Sequence, residues 1–380
     1  MIRLEGRLLV DGRLVPGRLE IDGARIASVT PGRGTSPAEL PIVAPGLIDL
    51  HVHGFGGCDP IEDLAGMARA LARAGTTAFQ PTLFPREPGA LGADAERVWS
   101  QACALGAGSG AQPIGLHLEG PFVNPEAAGA LSVADLATPS LEGLRAILGP
   151  PTGGGRGVRT VTLAPELEGA GALARELARC GVRVSLGHSR ARAGEARAAA
   201  RAGAVGVTHL FNAMTGVHHR DVGLAGIALT ERLLFAEIIG DLVHVGADAF
   251  RIALAARGPG GLCLVSDALR GAGTGCDVFH WHGREHRVRD GAVYYPPSGA
   301  GSPPTLAGSA CSQLEMVRRI VQHGVASFEE AWTMGSATPA AALGLAGELG
   351  ALRAGARADV VVLRGAALEL AEVLVAGERQ

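Results

Sequence analysis

Apolar and polar positions change their pattern along the 380 residues of this chain. Residues 1–46 alternate apolar and charged side chains between Asp-Gly turn signals, which is typical of paired β-strands. After Pro45-Gly46, short apolar runs alternate with alanine-rich segments that have a helical period. From residue 358 the alternation of a strand returns. The pattern therefore predicts β-structure at both ends of the chain around a central α/β region.

The central region predicts eight strands with helices between them. We place the strands near 47–53, 76–83, 113–120, 159–165, 183–188, 206–211, 235–240 and 262–267. The helices are expected near 60–74, 90–105, 168–180, 191–202 and 248–257. Continuous apolar strands such as LCLVS favour a parallel sheet covered on both faces. Eight such units over about 220 residues predict an α/β fold of the (β/α)8 TIM barrel type.

The segment 276–302 interrupts this alternation with a predicted hairpin, turning at Asp290-Gly291, and a loop. Helices are expected again near 309–323, 327–335 and 338–345. The N-terminal strands would bury too little by themselves, so we predict that they join the C-terminal strands. The predicted domains are a small β-sandwich from 1–46 and 347–380 and a catalytic barrel from 47–346.

The composition makes several classes of partner unexpected. With a net charge of −3 and scattered arginines, we expect neither nucleic acid nor an anionic membrane as a partner. No stretch is long and apolar enough to predict a spanning helix, and the first residues lack the apolar core of a secretory signal. The six cysteines form no CxxC pair, so we expect reduced thiols and a cytoplasmic location.

Six side chains of metal-ligand type occur at or near the ends of the predicted strands. They are His51, His53, Glu119, His188, His209 and Asp267. In a parallel barrel, the carboxyl ends of the strands surround one pocket, where the chemistry is found. We therefore expect these side chains to converge, and their order along the chain predicts a metal-dependent hydrolase.

Each member of this set has a simpler interpretation as well. His51 and His53 lie on one face of a strand, which suits two nitrogen ligands of one ion, but they could also cap the barrel. The two oxygens of Glu119 can span two ions, or they could pair with a loop arginine. His117 shares the strand parity of Glu119, and we prefer a core or ligand-supporting role for it.

A lone histidine at a strand end is more often a hydrogen-bonded core residue than a ligand. His188 and His209 follow consecutive strands with Glu119 upstream, and this favours a Glu-His-His site. Three protein ligands leave a position open for water, as in catalytic metal sites. Asp267 could take a proton during attack and return it to the leaving amine, although a helix N-cap or a further metal ligand is the alternative.

The chain contains no lysine, because all 34 basic residues are arginine. A carboxylated lysine therefore cannot bridge two metal ions here, and Glu119 is the candidate for that position.

Four further residues suit an anionic substrate. Asn212 and the backbone at Ala213 could hold an anionic group, and Arg220 suits bidentate binding of phosphate, unless it is only solvated. His244 could donate to a sugar hydroxyl or to phosphate. We assign the remaining histidines to loops, the hairpin or the surface, namely His218, His219, His280, His282, His286 and His323.

Longer stretches around these residues resemble the amidohydrolase superfamily and, within it, the N-acetylglucosamine-6-phosphate deacetylases. The resemblance covers almost the whole chain and includes APGLIDLHVHG (44–54), GLHLEGPFVNP (115–125), THLFNAM (208–214), LVSDA (264–268) and ADVVVL (358–363). It implies a metal-dependent barrel with a small β-sandwich, usually dimeric. Such enzymes cleave N-acetylglucosamine 6-phosphate to glucosamine 6-phosphate and acetate in amino-sugar metabolism.

The resemblance also implies roles for single residues. Glu119, His188 and His209 would hold the catalytic ion, and Asp267 would be the general acid and base. The HxH pair would permit a second ion, so the implied cofactor is one or two divalent ions, Zn²⁺ first, with Fe, Mn or Co as alternatives. Contacts to the sugar phosphate are implied for Asn212, Ala213 and His244, and for Arg220, which would reach the neighbouring active site in a homodimer.

Some positions depart from this family pattern. Leu131 stands where the family usually has a histidine thought to polarise the acetyl carbonyl, and losing such a donor costs roughly 10²–10³ in rate. GDLVH replaces ADGxH, HHRDVG replaces HHREPG, and Arg270 replaces a small residue. Alternatives are therefore a deacylase for another N-acyl amino sugar, such as N-acetylgalactosamine 6-phosphate, or a related amide. A non-catalytic binding protein of the same fold is a third alternative.

Overall fold

The computed structural model describes residues 1–32, 39–149, 156–296 and 303–380. Within these ranges the strands are β1 (Ile2–Val10), β2 (Arg13–Asp22), β3 (Arg25–Pro31), β4 (Ile42–Pro45), β5 (Leu47–Val52), β6 (Thr76–Leu83), β7 (Gln112–Pro113), β8 (Leu116–Glu119), β9 (Val158–Leu163), β10 (Arg183–Leu186), β11 (Ala204–Val207), β12 (Phe235–Ile239), β13 (Leu262–Val265), β14 (Val278–Trp281), β15 (Arg284–Arg289), β16 (Ala292–Tyr295), β17 (Thr305–Ser309), β18 (Val360–Arg364), β19 (Glu369–Val375) and β20 (Glu378–Arg379). The α-helices are α1 (Leu64–Arg73), α2 (Pro88–Ala104), α3 (Leu141–Leu148), α4 (Ala170–Arg179), α5 (Ala193–Arg201), α6 (Gly223–Thr230), α7 (Ala247–Arg257), α8 (Gln313–Gln322), α9 (Phe328–Gly335) and α10 (Ala337–Ala342).

Strands from both ends of the chain form one seven-stranded sheet, in the order β20-β19-β18-β4-β1-β2-β3. β4 pairs parallel with β1 and antiparallel with β18, so it links the N-terminal hairpins to the tail. Leu8, Leu19, Val360 and Leu374 are fully buried and belong to a core separate from that of the barrel. The prediction that both termini build one small β-structure is confirmed.

Eight parallel strands form the barrel, in the hydrogen-bonded order β13-β12-β11-β10-β9-β8-β6-β5. The two strands at the ends of this order meet through a parallel bridge between Val52 and Ala268. The backbone N–H of Asp267 also donates to the carbonyl of His51 at 2.8 Å. The predicted TIM barrel is confirmed, and all eight strands begin and end within four residues of the predicted bounds.

The helices cover the barrel with one apolar face each. In α1, Leu64, Met67 and Leu71 are buried at helical spacing, and the Asp63 carboxylate caps the N-terminus by accepting from Gly66 N at 2.7 Å. Two helices, α3 and α6, were not predicted. α6 has the sequence GLAGIALT and is apolar on all sides, so it carries no amphipathic period to detect.

The insertion after the eighth strand is a four-stranded antiparallel sheet, in the order β14-β15-β16-β17. Its central hairpin turns at Asp290-Gly291, as predicted, and both residues have positive φ. The strand β17 was not predicted and ends at Ser309, where a helix was expected to begin, and α8 starts only after the Ser312 cap. Part of the predicted loop, 297–302, lies outside the described residues. None of the helices in the described ranges is long and apolar enough to cross a membrane.

Candidate metal centre

Glu119, His188 and His209 converge at the carboxyl ends of β8, β10 and β11. Oε1 of Glu119 lies 3.0 Å from Nε2 of each histidine, and the two Nε2 atoms are 3.0 Å apart. All three side chains are buried. Ligands on a tetrahedral ion with bonds of about 2.0–2.1 Å stand roughly 3.3 Å apart, close to these spacings. The donor atoms and their separation therefore fit a divalent metal ion.

The backbone at the strand ends is turned so that these side chains point inward. His188, His209 and Asp267 have φ of 46°, 30° and 47°, a region that residues other than glycine enter at a cost of about 1–3 kcal/mol. Nδ1 of His188 donates to the carbonyl of Ala127 at 2.9 Å, which leaves the lone pair of Nε2 free for a ligand. Such strain at one site is typical of functional geometry rather than of packing alone.

His51, His53 and Asp267 form a second group beside the first. Nε2 of His51 lies 3.2 Å from Nε2 of His53, and Oδ1 of Asp267 lies 3.5 Å and 3.6 Å from these two atoms. The second oxygen of Glu119, Oε2, is 3.1 Å from Nε2 of His53. Glu119 therefore contacts both groups, because Oε1 faces His188 and His209 and also lies 3.4 Å from Nε2 of His51, while Oε2 faces His53.

The charges in this pocket set the protonation of its buried groups. Burial raises the pKa of Glu119, but His51 and His188 outweigh it and hold that pKa well below its usual range. Burial lowers the pKa of His51, but the carboxylates of Glu119 and Asp267 outweigh this and raise it. A divalent ion would compete with the proton on His51, so ion binding at this histidine is expected to release a proton.

The candidate substrate residues follow the first group along the chain. The side chain of Asn212 donates to the carbonyls of His209 and Leu210, both at 3.3 Å, and is half-buried. Ala213 has φ of 49°, and its carbonyl accepts from Ser189 N at 3.0 Å. The backbone of this turn is therefore held in one shape next to His209.

His244 is paired with a carboxylate. Its Nδ1 lies 2.6 Å from Oδ2 of Asp241, and both side chains are almost completely buried. Burial lowers the pKa of His244, but the hydrogen bond and charge of Asp241 outweigh it and raise the pKa. The pair therefore favours a protonated imidazole, which suits an anionic ligand.

Arg220 lies apart from both groups of metal-ligand side chains. It is exposed, and it lines an open cavity of about 640 Å³ with Arg192, Arg197 and His219. The single chain does not bring Arg220 to the site with the other candidates.

A cavity of about 500 Å³ adjoins the second group at His53. The ring of Phe84 stacks on His53 with centroids 3.9 Å apart and lines this cavity. Leu131, the residue that departs from the family pattern, also lines it and packs against Val123 and Ala128. His282, which sequence analysis assigned to the hairpin, contributes to the same wall. The wall of the cavity at position 131 is therefore apolar.

The structure also explains Arg270 and Leu242, two other positions that differ from the family pattern. Arg270 donates to the carbonyl of Gly57 at 2.7 Å and to Glu62 at 2.5 Å, so it ties the loop after β13 to the loop after His53. Leu242 has φ of 61°, a region that glycine enters freely, and this accounts for the glycine that the family pattern has there.

Sequence analysis missed two buried carboxylates near the site, one that contacts His51 and one that holds the loop after His53. Glu237 accepts from Nδ1 of His51 at 3.1 Å, and Asp59 accepts from Nε1 of Trp281 at 3.2 Å. The sequence did contain a signal for Glu237, because a single carboxylate inside the apolar run FAEII needs a buried partner. Asp59 lies in a loop, where an aspartate carries no such signal.

The eight-stranded barrel and the two adjoining groups of candidate ligands at its carboxyl end define a (β/α)8 barrel protein with a candidate metal centre. The model of the amidohydrolase family matches residues 42–379, and the chain belongs to this family.

Three similar proteins match the chain over most of their length. The N-acetylgalactosamine-6-phosphate deacetylase of Escherichia coli O157:H7 is 33% identical, with 100% of this chain and 98% of that protein covered. The N-acetylglucosamine-6-phosphate deacetylase of Bos taurus is 38% identical over 85% of this chain and 79% of its own. A mutant of the N-acetyl-D-glucosamine-6-phosphate deacetylase of Mycobacterium smegmatis, solved with N-acetyl-D-glucosamine-6-phosphate, superposes with a TM-score of 0.86 at 31% identity, covering 100% and 98% of the two chains.

Proposed function

We propose that this protein is a metal-dependent deacetylase that hydrolyses N-acetylglucosamine 6-phosphate to glucosamine 6-phosphate and acetate. The observation that carries the proposal is the position of Asp267, whose Oδ1 lies 3.5 Å and 3.6 Å from two candidate ligands. A carboxylate next to a metal site can serve as general base in hydrolysis. Relatives from Bos taurus to Bacillus subtilis, 38% and 31% identical, carry this deacetylase name.

The proposed cofactor is one or two divalent ions, with Zn²⁺ as the first candidate and Fe, Mn or Co as the others. Glu119, His188 and His209 would hold one ion, and His51 with His53 would hold a second. A bound ion supplies Lewis acidity toward the amide carbonyl and lowers the pKa of a water molecule.

In the proposed reaction, the protein's own side chains position the substrate and move one proton. Asp267 accepts the proton of the attacking water and then donates it to the amide nitrogen as the C–N bond breaks, which releases acetate and the free amine. Leu131 has no hydrogen-bond donor, so it contributes only packing beside the acyl group. Hydrogen bonds to the carbonyl oxygen must come from elsewhere.

The substrate phosphate would be bound by Asn212, the backbone of Ala213 and protonated His244. Arg220 completes this site from a second subunit, since within one chain it is exposed and apart from the ligand groups. This proposal makes the protein a homodimer with shared active sites. A cytoplasmic location is part of the proposal, because sugar phosphates of this class are intracellular metabolites.

A second candidate substrate is N-acetylgalactosamine 6-phosphate. The Escherichia coli O157:H7 relative that carries this specificity in its name covers the whole chain at 33% identity. The two sugars differ in the configuration of one hydroxyl at C4, so one amide hydrolysis mechanism serves both. Acetate release should be compared for the two sugar phosphates at equal concentration. A higher kcat/KM for the galactosamine compound would replace the first candidate with the second.

A further inference from the structure

Glu237 is a buried carboxylate on β12 that contacts both groups of metal-ligand side chains. Its Oε2 lies 3.1 Å from Nδ1 of His51. The same oxygen accepts from the backbone N–H of His209 at 3.3 Å. Glu237 does not face the substrate side of the centre, because it binds the edge of the His51 ring opposite to Nε2. Its contacts suggest that it acts through these two histidines.

The carboxylate fixes which nitrogen of His51 carries the proton. Oε2 of Glu237 accepts from the backbone N–H of His209 and faces Nδ1 of His51, so this oxygen is the acceptor and Nδ1 of His51 is the donor. The neutral ring then has its lone pair on Nε2, which lies 3.2 Å from Nε2 of His53 and 3.4 Å from Oε1 of Glu119. A metal ligand needs this tautomer.

This support is specific to His51 within its own group. In the described ranges, Nδ1 of His53 is buried and has no hydrogen-bond partner, and the same holds for Nδ1 of His209. The ring of His53 is held by stacking on Phe84 instead. Among the described residues, Glu237 is therefore the only hydrogen-bond partner at Nδ1 of either His51 or His53. Losing its contact leaves both rings without a polar partner at that nitrogen.

A separate ion between His51, His117 and Glu237 is the competing interpretation, since their ligand atoms lie within 4.8 Å of one another. The hydrogen bonds of His117 argue against it. Its Nδ1 lies 3.1 Å from the carbonyl of Leu50, and its Nε2 lies 2.8 Å from Oγ1 of Thr162. Both ring nitrogens are occupied, so His117 has no lone pair to offer. Its ring packs edge-on against His51, with centroids 4.6 Å apart, and limits the rotation of that ring.

We propose that Glu237 is a positioning residue that holds His51 in its Nδ1-protonated form and thereby sets the affinity of the His51/His53 pair for a second divalent ion. The inference rests on the metal-dependent function proposed above, but it concerns ion binding and not turnover. The Glu119/His188/His209 group depends on Glu237 only through one backbone N–H, so its own ion is expected to bind with little change.

The variant Glu237→Gln tests this directly, because it removes the negative charge that Oε2 presents to Nδ1 of His51. If the amide oxygen takes the place of Oε2, it accepts from both partners only as a neutral and weaker acceptor; if the NH2 group takes that place, it donates to Nδ1 of His51 and moves the ring proton to Nε2, where it blocks the ligand position. Metal-free protein would be titrated with Zn²⁺ against a chromophoric chelator, without substrate. We expect two ions per wild-type chain. In Glu237→Gln the second ion should bind 10- to 100-fold more weakly, and the first within about threefold of wild type.

Three further single variants and one double variant make the outcome specific. Glu369→Gln applies the same chemical change at an exposed position of β19 in the terminal sheet and should bind both ions as wild type does. His51→Ala should lose the second ion, and adding Glu237→Gln to it should weaken binding no further, because the carboxylate acts through that ring. Glu237→Asp keeps the charge and should retain more of the second ion's affinity than Glu237→Gln.

Three results would overturn the proposal. They are a single ion in the wild-type chain, two ions of unchanged affinity in Glu237→Gln, and equal weakening of both ions in a folded Glu237→Gln. Circular dichroism and thermal unfolding show whether each variant folds. If Glu237→Gln does not fold, the affinity of Glu237→Asp for the second ion tests the proposal in its place. The titration contains no substrate, so its result does not depend on turnover. A protein that binds two ions but releases no acetate would contradict the proposed deacetylation without affecting the role of Glu237.

Discussion

Oε1 of Glu119 lies 3.0 Å from Nε2 of His209, although 90 residues separate them in the chain. The barrel brings them together because parallel strands end on the same side. The other carboxylate oxygen lies 3.1 Å from Nε2 of His53, so one side chain contacts both groups of candidate ligands. In a chain without lysine, this glutamate is the residue that we propose as the bridge between two ions.

Replacing Glu119 by glutamine is therefore expected to weaken the binding of both ions at least 100-fold and to abolish deacetylation. The amide keeps the shape of the side chain but removes the negative charge that faces four imidazoles. Metal content after dialysis, measured by elemental analysis, checks this expectation. Exposed Glu369→Gln is the matched control, and full metal content in Glu119→Gln would contradict the bridging role.

Asp267→Asn is expected to lower kcat by about 10²–10⁴, because an amide cannot accept and return a proton. Metal content should stay within error of wild type, and KM should change little. The same experiment separates the base from the alternative ligand role. If Asp267→Asn lost an ion together with its activity, Asp267 would be a ligand, and full turnover in this variant would show that the proposed mechanism is wrong.

The His244–Asp241 pair predicts a pH dependence of substrate binding. Burial lowers the pKa of His244, but Asp241 raises it by more, so the net shift is upward. The imidazole is therefore protonated below this raised pKa and neutral above it. KM for a phosphorylated substrate should therefore increase as the pH rises through this pKa. In Asp241→Asn the increase should begin at lower pH. An unphosphorylated N-acetyl sugar should show no such dependence.

Arg220 offers a test of shared active sites. Arg220→Ala and Asp267→Asn should each be nearly inactive, and co-expression should restore activity, because a mixed dimer has one site with both residues intact. With random pairing, about one quarter of all sites are restored. Differently tagged chains allow the mixed dimer to be isolated and assayed. Failure of an isolated mixed dimer to regain activity would place Arg220 outside the neighbouring site.

Asp59 is predicted to stabilise the loop that follows His53. Its carboxylate is buried and accepts from the backbone of Ile61 and Glu62, both at 2.9 Å, and from Trp281 at 3.2 Å. Asp59→Ala would leave these donors without partners, so we expect a loss of about 3 kcal/mol in the free energy of unfolding. Denaturant unfolding of the metal-free protein measures it, and a change below 1 kcal/mol would show that water replaces the carboxylate at little cost.

The sequence predicts the barrel and its strand ends because apolar runs bounded by polar residues are a local signal. His51, His188 and Asp267 could be identified in this way, since each follows such a run. The seven-stranded terminal sheet was predicted only as a joining of two ends, because its pairing depends on contacts distant in sequence. The run FAEII signals that Glu237 needs a buried partner, but the sequence does not identify that partner as His51, which is 186 residues away.

The central claim is metal-dependent deacetylation of a sugar phosphate. The most direct measurement is acetate release from N-acetylglucosamine 6-phosphate and from unphosphorylated N-acetylglucosamine, with the metal content of the same sample quantified. We predict release from the phosphorylated sugar, strong preference over the unphosphorylated one, and loss of activity after chelation that added Zn²⁺ restores. A metal-loaded protein that released acetate from neither compound, or released it equally well after complete metal removal, would contradict the account.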